Sequence, residues 1–234
     1  MTRLALIFIF LPTLLFGQDR SNWTRLDFLN RTKENPFIPQ DNINGICFVT
    51  LADTFNYYKK PIIINDKDKN EVLKIQFTDS LGLTTTFNGK KYSRRDTGNT
   101  FNPWLWINSE EYFQLAFECT DTSGAYYKVL LTNKDFAFIN KKNKDFKKQS
   151  IASFVKEWTS IGFDFDRSAN PLRQSANDNS KIIKHKDQDK YKIWQGESIE
   201  VKGDWIKVKT VKDEVGWVRW RQGKKVLIRL YFAC

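Results

Sequence analysis

From Trp205 the chain alternates. Trp205, Lys207 and Lys209 fall on one side, and Ile206, Val208 and Thr210 on the other, the period-two pattern of a half-buried strand. A polar turn at Lys212, Asp213 and Glu214 follows, and Gly216-Trp217-Val218 opens a return strand. The run from Lys224 to Phe232 reads as a closing strand. Upstream, apolar runs at 46–52, 62–64 and 71–77 predict three more strands, and Asn88-Gly89 is a hairpin signal. One segment departs from this period. Ile151, Phe154, Val155, Trp158 and Ile161 fall at i, i+3, i+4, i+7 and i+10, a single apolar stripe on a helix. Ser150 suits its N-cap and Gly162 its termination. The pattern is therefore mainly β with one amphipathic helix.

The chain also repeats itself. Lys60-Pro61 followed by Val72-Leu73-Lys74 matches Asn170-Pro171 followed by Ile182-Ile183-Lys184 without a gap, an offset of 110, the difference between 171 and 61. Gly124-x-Tyr126-x-Lys128-Val129 matches Gly203-x-Trp205-x-Lys207-Val208 at an offset of 79, the difference between 203 and 124, and the register continues from Phe136–Ile139 to Val215–Val218. Small, aromatic and β-branched residues stay in step, as a shared strand–turn–strand plan requires. The offsets differ by 31, so the first copy carries an insertion of about that size between 76 and 119. It either adds a hairpin that completes the packing or faces a ligand. In the second case Arg94, Arg95, Trp104 and Trp106 are its candidate contact residues.

The Gly-x-Trp-x-Lys-Val…Gly-Trp-Val stretch resembles the bacterial SH3-like (SH3b) domain. That resemblance implies two small SH3-like barrels joined by the amphipathic helix, the first with an inserted hairpin region. The expected division is an N-terminal arm at 18–44, a first barrel at 45–148, the helix at 149–164 and a second barrel at 165–234. It also implies an aromatic-lined groove for cell-wall peptides or other extended chains; such domains often accompany cell-wall peptidases, but no catalytic module of that type is visible, so a non-catalytic binding module is expected. On the second copy the candidate ligand-binding residues are Tyr191, Trp194, Trp205, Trp217 and Trp220, edged by Arg219 and Arg221. The matching places in the first copy are Tyr126 and Phe138, with Lys141 where the second has Trp220. The competing reading of each ring is barrel core.

Composition adds a setting. The 234 residues carry a formal charge of +11, with 15% aromatics, which favours an anionic partner. At 1–17, one arginine precedes an apolar run from Leu4 to Phe16, and Gly17 offers a small residue for cleavage. This is the pattern of a secretory signal peptide, too short for a membrane span of about 20 residues. Export to the periplasm or outside the cell is expected, without an integral membrane anchor. Nucleic acid, which charge and aromatics would suit, is then not the expected partner. An oxidising compartment leaves Cys47 and Cys119 two options, a bridge or two buried thiols, the second preferred because free cysteine behaves as a small hydrophobe. Cys234 ends the chain.

Candidate chemistry is sparse. The single histidine, His185, sits in a charged loop. No Cys-x-x-Cys, His-Glu-x-x-His, Gly-x-Ser-x-Gly or phosphate-binding glycine loop occurs. Asp66, Asp68 and Asn70 match the opening of an EF-hand loop, but Glu71 stands where its glycine belongs and Phe77 where its glutamate belongs. No metal or cofactor is expected, and the partner is a cell-wall peptide or glycan, or an envelope protein. A cell-wall hydrolase is the least favoured alternative.

Overall fold

The structure, a computed structural model, describes residues 42–78, 82–92, 101, 103–107, 113–132, 134–159, 163–165, 169–184, 196–210 and 213–230. The described chain is mainly β, with antiparallel sheets and one helix. The signal-peptide pattern, the arm up to 41, His185, Tyr191, Trp194, Arg94, Arg95 and Cys234 lie outside the described residues.

The N-terminal half builds one ten-stranded sheet. Its strands are β1 (Cys47–Leu51), β2 (Ile62–Asn65), β3 (Glu71–Thr78), β4 (Gly82–Phe87), β5 (Lys90–Tyr92), β6 (Leu105–Ile107), β7 (Gln114–Asp121), β8 (Tyr126–Leu130), β9 (Phe136–Asn140) and β10 (Phe146–Ser150). The order is β10-β1-β7-β8-β9-β2-β3-β4-β5, with β6 also on β7. The helix α1 (Ile151–Thr159) follows at once. Ser150 Oγ accepts from the Ser153 amide at 3.0 Å, the N-cap bond that its side chain predicts. The C-terminal half supplies β11 (Phe163–Phe165), β12 (Gly196–Lys202), β13 (Trp205–Thr210), β14 (Val215–Arg219), β15 (Arg221–Gln222), β16 (Lys225–Val226) and β17 (Ile228–Leu230).

The meanders β7-β8-β9 and β12-β13-β14 are paired in the same way. Cys119 faces Val129, a bulge follows, and Asp121 faces Lys128; Ser198 faces Val208, a bulge follows, and Glu200 faces Lys207. Tyr127 faces Ile139 and Val129 faces Ala137, while Ile206 faces Val218 and Val208 faces Gly216. Each residue of the second set lies 79 beyond its counterpart, as 198 does beyond 119 and 218 beyond 139. Even the bulge recurs, and bulges change local twist and aim. Gly124 and Gly203 both have φ near +60° (60° and 57°) in the turn before the hairpin, where a side chain would be strained. Lys141 Nζ donates to Gly124 O at 2.7 Å, and Trp220 Nε1 donates to Gly203 O at 2.9 Å. Two different side chains at one repeat position thus satisfy the same carbonyl.

The other matched block keeps its plan but not its ungapped offset. Asn65 pairs with both Phe138 and Glu71, and Arg173 pairs with both Trp217 and Ile182. The first strands are thus displaced by 108 (173 against 65) and their partners by 111 (182 against 71), because the second turn is three residues longer. The insertion is β4, β5 and β6. Leu83, Phe87, Trp104 and Trp106 from it are buried, so these residues pack rather than face a ligand.

No sheet of the described residues closes into a barrel. In the first unit β2 meets β9 through one pair, Asn65 with Phe138, and the inserted β4 and β5 prolong the sheet beyond β3. In the second, β12-β13-β14, β11-β17 and β15-β16 remain separate small sheets. The loop from Asp66 to Asn70 is a hairpin turn. Asp66 accepts from the amides of Asp68 and Asn70 and from Asn70 Nδ2 at 2.8–2.9 Å, which holds its carboxyl below the usual range, the Asn70 side chain contributing most. The acidic spacing there serves the turn.

Two cores result. One fills the first unit and includes Leu73, Ile75, Phe117, Val129 and Ile139. The other gathers Phe48, Trp104 and Leu105 from the first unit, Phe154, Val155 and Trp158 from α1, and Leu172, Ile206, Val218 and Trp220 from the second. Near that junction Glu118, 4% exposed, accepts from the amides of Asn44 (2.5 Å) and Gly45 (3.2 Å). It pins the incoming chain, whose next contact is Ile43 N donating to Lys224 O at 2.8 Å. Gly45 is required by close approach, since a Cβ there would stand 2.8 Å from Cys119 O.

Burial raises the Glu118 carboxyl above the ordinary carboxylate range, against the pull of the Gly45 and Asn44 amides and the Lys224 charge. A raised folded pKa favours the native state below the unfolded value and loses that contribution as pH climbs through the folded one. Urea midpoints should therefore fall over that interval in the native sequence, and E118Q should flatten that part of the profile. Cys47 and Cys119 face each other across β1 and β7 as buried free thiols. Burial first, then the Cys47 side chain, pushes the Cys119 thiol up to about 12. Because both thiols are buried, iodoacetamide at mildly alkaline pH should spare both in the native protein and modify both in denaturant, read by peptide mass mapping.

Candidate binding surfaces

Of the tryptophans expected to line a groove, Trp104, Trp106 and Trp220 are in the cores. Trp220 is 1% exposed and Trp104 2%. Trp104 packs on Phe48 and Phe154 at ring distances of 4.9 and 5.4 Å and donates to Asn42 O at 3.2 Å. Trp106 meets Phe101 and Phe113 edge-on at 4.9 and 5.8 Å. A buried indole needs such a partner for its N–H, and the chain turns around Asn42 and Gly203 supply two.

Trp205 and Trp217 do lie on the outer face of β13-β14, as the alternation predicts, yet both are buried because other side chains cover them. Arg219 lies over Trp205, its Cζ 4.9 Å from the ring centroid. Its Nη2 is tied to Asp178 at 2.6 Å, and its backbone is clamped by Asn170, whose Nδ2 donates to Arg219 O at 2.6 Å. Lys207 Nζ stands 5.9 Å from the Trp217 ring. Arg221 similarly covers Trp220 at 4.7 Å. The arginines expected to edge a groove instead seal the rings.

The same outer face in the first unit is open. The repeat register puts Tyr126 at the Trp205 position, Phe138 at Trp217, Phe136 at Val215 and Asn140 at Arg219. Asn140 is too short to reach over a neighbouring ring, and its Oδ1 is occupied by the Lys142 amide at 2.9 Å. Tyr126, opposite Asn140, is accordingly 42% exposed; Phe136 at 40% is as open as its counterpart Val215 at 44%, and Ile63 on nearby β2 is 41% exposed. Lysines are interleaved: Lys128 Nζ lies 4.0 Å from the Phe136 centroid and Lys67 Nζ 5.2 Å from that of Phe138. Lys74 pairs with Ile63 across β2-β3. Phe136, Ile63 and Lys67 were not among the candidates read from the sequence. The signal for Phe136 was present in its repeat match to Val215, but nothing local said that the ring would be left uncovered.

A second concavity, of about 240 Å³, lies where α1 crosses β1, β7 and β10. Phe55, Tyr57, Phe113 and Trp158 line it with Asp53, Lys147, Gln149 and Glu157. Burial, and next the Tyr58 hydroxyl, hold the Tyr57 phenol above its ordinary pKa, so it is neutral and keeps its proton. These residues also escaped the sequence reading, because the pocket is assembled from segments about a hundred residues apart. Among the described residues no group of three or more His, Cys, Asp or Glu can hold a metal ion, and no helix is long and apolar enough to cross a membrane.

Comparison of the chain with protein-family models, with curated proteins and with solved structures finds no match. The outer faces of the two meanders therefore have to be read from their own residues.

If Arg219 is what seals Trp205, R219A should raise acrylamide quenching of tryptophan fluorescence and cost about 1 kcal/mol of stability. Unchanged quenching would show that another group covers the ring.

Proposed function

We propose that this chain is an exported, non-catalytic binding module that holds an extended anionic polymer of the cell envelope on the outer face of β8-β9. The observation that carries the reading is the open row of Tyr126, Phe136 and Ile63 interleaved with Lys67, Lys74 and Lys128. Exposed rings offer flat apolar surface for stacking, and lysines answer negative charge. The overall charge of +11 acts in the same sense. The pattern at 1–17 supports export. The repeated bulged meander carries the resemblance to bacterial SH3-like modules and supports reading each unit as an open relative of that fold.

The second meander then has a different task. Trp205 and Trp217 are buried, the first beneath Arg219, and the meander's inward side, Trp220 included, belongs to the shared core around α1. On this reading the first unit binds and the second buttresses it.

Isolated cell-wall polymer should retain the protein at low salt, and retention should fall as salt screens the lysines. Replacing Tyr126 and Phe136 by serine should weaken retention about tenfold. No retention at low salt would overturn the reading. A complex with an envelope protein that survives high salt would favour a scaffold instead.

A further inference from the structure

The concavity beside α1 is a separate surface from the outer face of β8-β9, and its chemistry differs. Its aromatic side is Phe55, Tyr57, Phe113 and Trp158. Its polar side is organised into pairs. Asp53 Oδ1 takes Lys147 Nζ at 2.6 Å. Glu157 Oε2 takes Gln149 Nε2 at 2.5 Å, and Gln149 Oε1 takes the Thr50 hydroxyl at 3.1 Å. Donors and acceptors thus alternate along the rim, and both carboxylates already have a protein partner.

That pairing discriminates between ligand classes. A cation entering here would compete with the Lys147 ammonium for Asp53, and an anion would meet two carboxylates. A neutral ring bearing several hydroxyls can donate and accept at once, so it can bond beside each of these exposed pairs without breaking either. Its C–H face suits aromatic walls. The volume, about 240 Å³, is below the roughly 300–1,000 Å³ of drug-sized sites, which suits one ring and not an oligomer.

We propose that this pocket is a binding site for a single neutral pyranose unit, held between its aromatic wall and the Thr50–Gln149–Glu157 chain. Glu157 and Gln149 accept from and donate to ring hydroxyls, while Tyr57, whose hydroxyl donates to that of Tyr58 at 3.3 Å, contributes the face of its ring. The site needs no polymer on the outer face, so it stands or falls separately from the function proposed above.

The test is a titration of the full chain with methyl glucopyranoside and with N-acetylglucosamine, followed by amide chemical shifts. Glucosamine, a cation, and glucuronate, an anion, serve as charged comparators. Shifts should concentrate at 50–57, 147–149 and 154–158, with a dissociation constant on the order of 1 mM for a neutral sugar. The charged comparators should bind more weakly. E157Q keeps an acceptor oxygen and the fold but loses the charge that strengthens a hydroxyl hydrogen bond. It should weaken the neutral sugar about tenfold while leaving the thermal midpoint near that of the native sequence. The proposal is overturned if neither neutral sugar shifts these amides, if a charged comparator binds more tightly, or if the shifts map to β8 and β9 instead. Polymer retention measured on the same samples reports the outer face alone, so failure of one surface is distinguishable from failure of the other.

Discussion

Phe154 has no exposed surface because two β units close on it from different sides. Phe48 and Trp104 of the first unit lie 4.2 and 5.4 Å from its ring, and Leu172, Ile206, Val218 and Trp220 of the second belong to the same cluster. A nine-residue helix is too short to be stable alone; its apolar stripe is stabilised by this double burial. Conversely the second unit, split into small separate sheets, packs its inward residues into the same cluster as α1. The relative placement of the two units follows from that shared core, and Glu118 at the entry of the chain adds a polar tie beside it.

Within this frame the same bulged meander has been used twice with opposite surface results. The inward positions stay apolar: Val129 and Ala137 in one, Val208 and Gly216 in the other. Gly216 is needed because a Cβ there would meet Leu172 Cγ at 2.6 Å, whereas Ala137 has room for its methyl. Outward, the Trp205 and Tyr126 positions diverge through one cross-strand neighbour. An arginine opposite Trp205 can lie across the indole and reach Asp178; an asparagine opposite Tyr126 turns back to its own loop. One unit therefore spends its aromatic residues on its own stability, and the other leaves them for contact.

Much of the architecture was legible. The alternation around Ile206 and Val208 fixed which side of β13 is buried, the apolar stripe fixed α1, and the offset of 79 anticipated cross-strand pairs that a one-residue slip would have destroyed. What failed was local exposure. Trp104, Trp106 and Trp220 look like contact residues because tryptophan is common at binding surfaces, but nothing in their neighbourhood reveals the carbonyls of Asn42 and Gly203 that satisfy two of their indoles. Barrel closure was also out of reach, since it depends on whether the edge strands β10 and β5 of the finished sheet meet. The pocket beside α1 was invisible because Asp53, Gln149 and Glu157 come together only when β1 and β10 pair.

The claim beneath all of this is that one core, centred on α1, holds both units. Native-state hydrogen exchange measures it most directly, since amides that open only in global unfolding report a common free energy. The amides of β8 in the first unit and of β13 in the second should exchange at the same limiting free energy, and the α1 amides from Val155 to Trp158 should join them. If the β13 amides exchange through a much cheaper opening while β1 and β7 remain protected, the two units do not share a core, and the account is wrong.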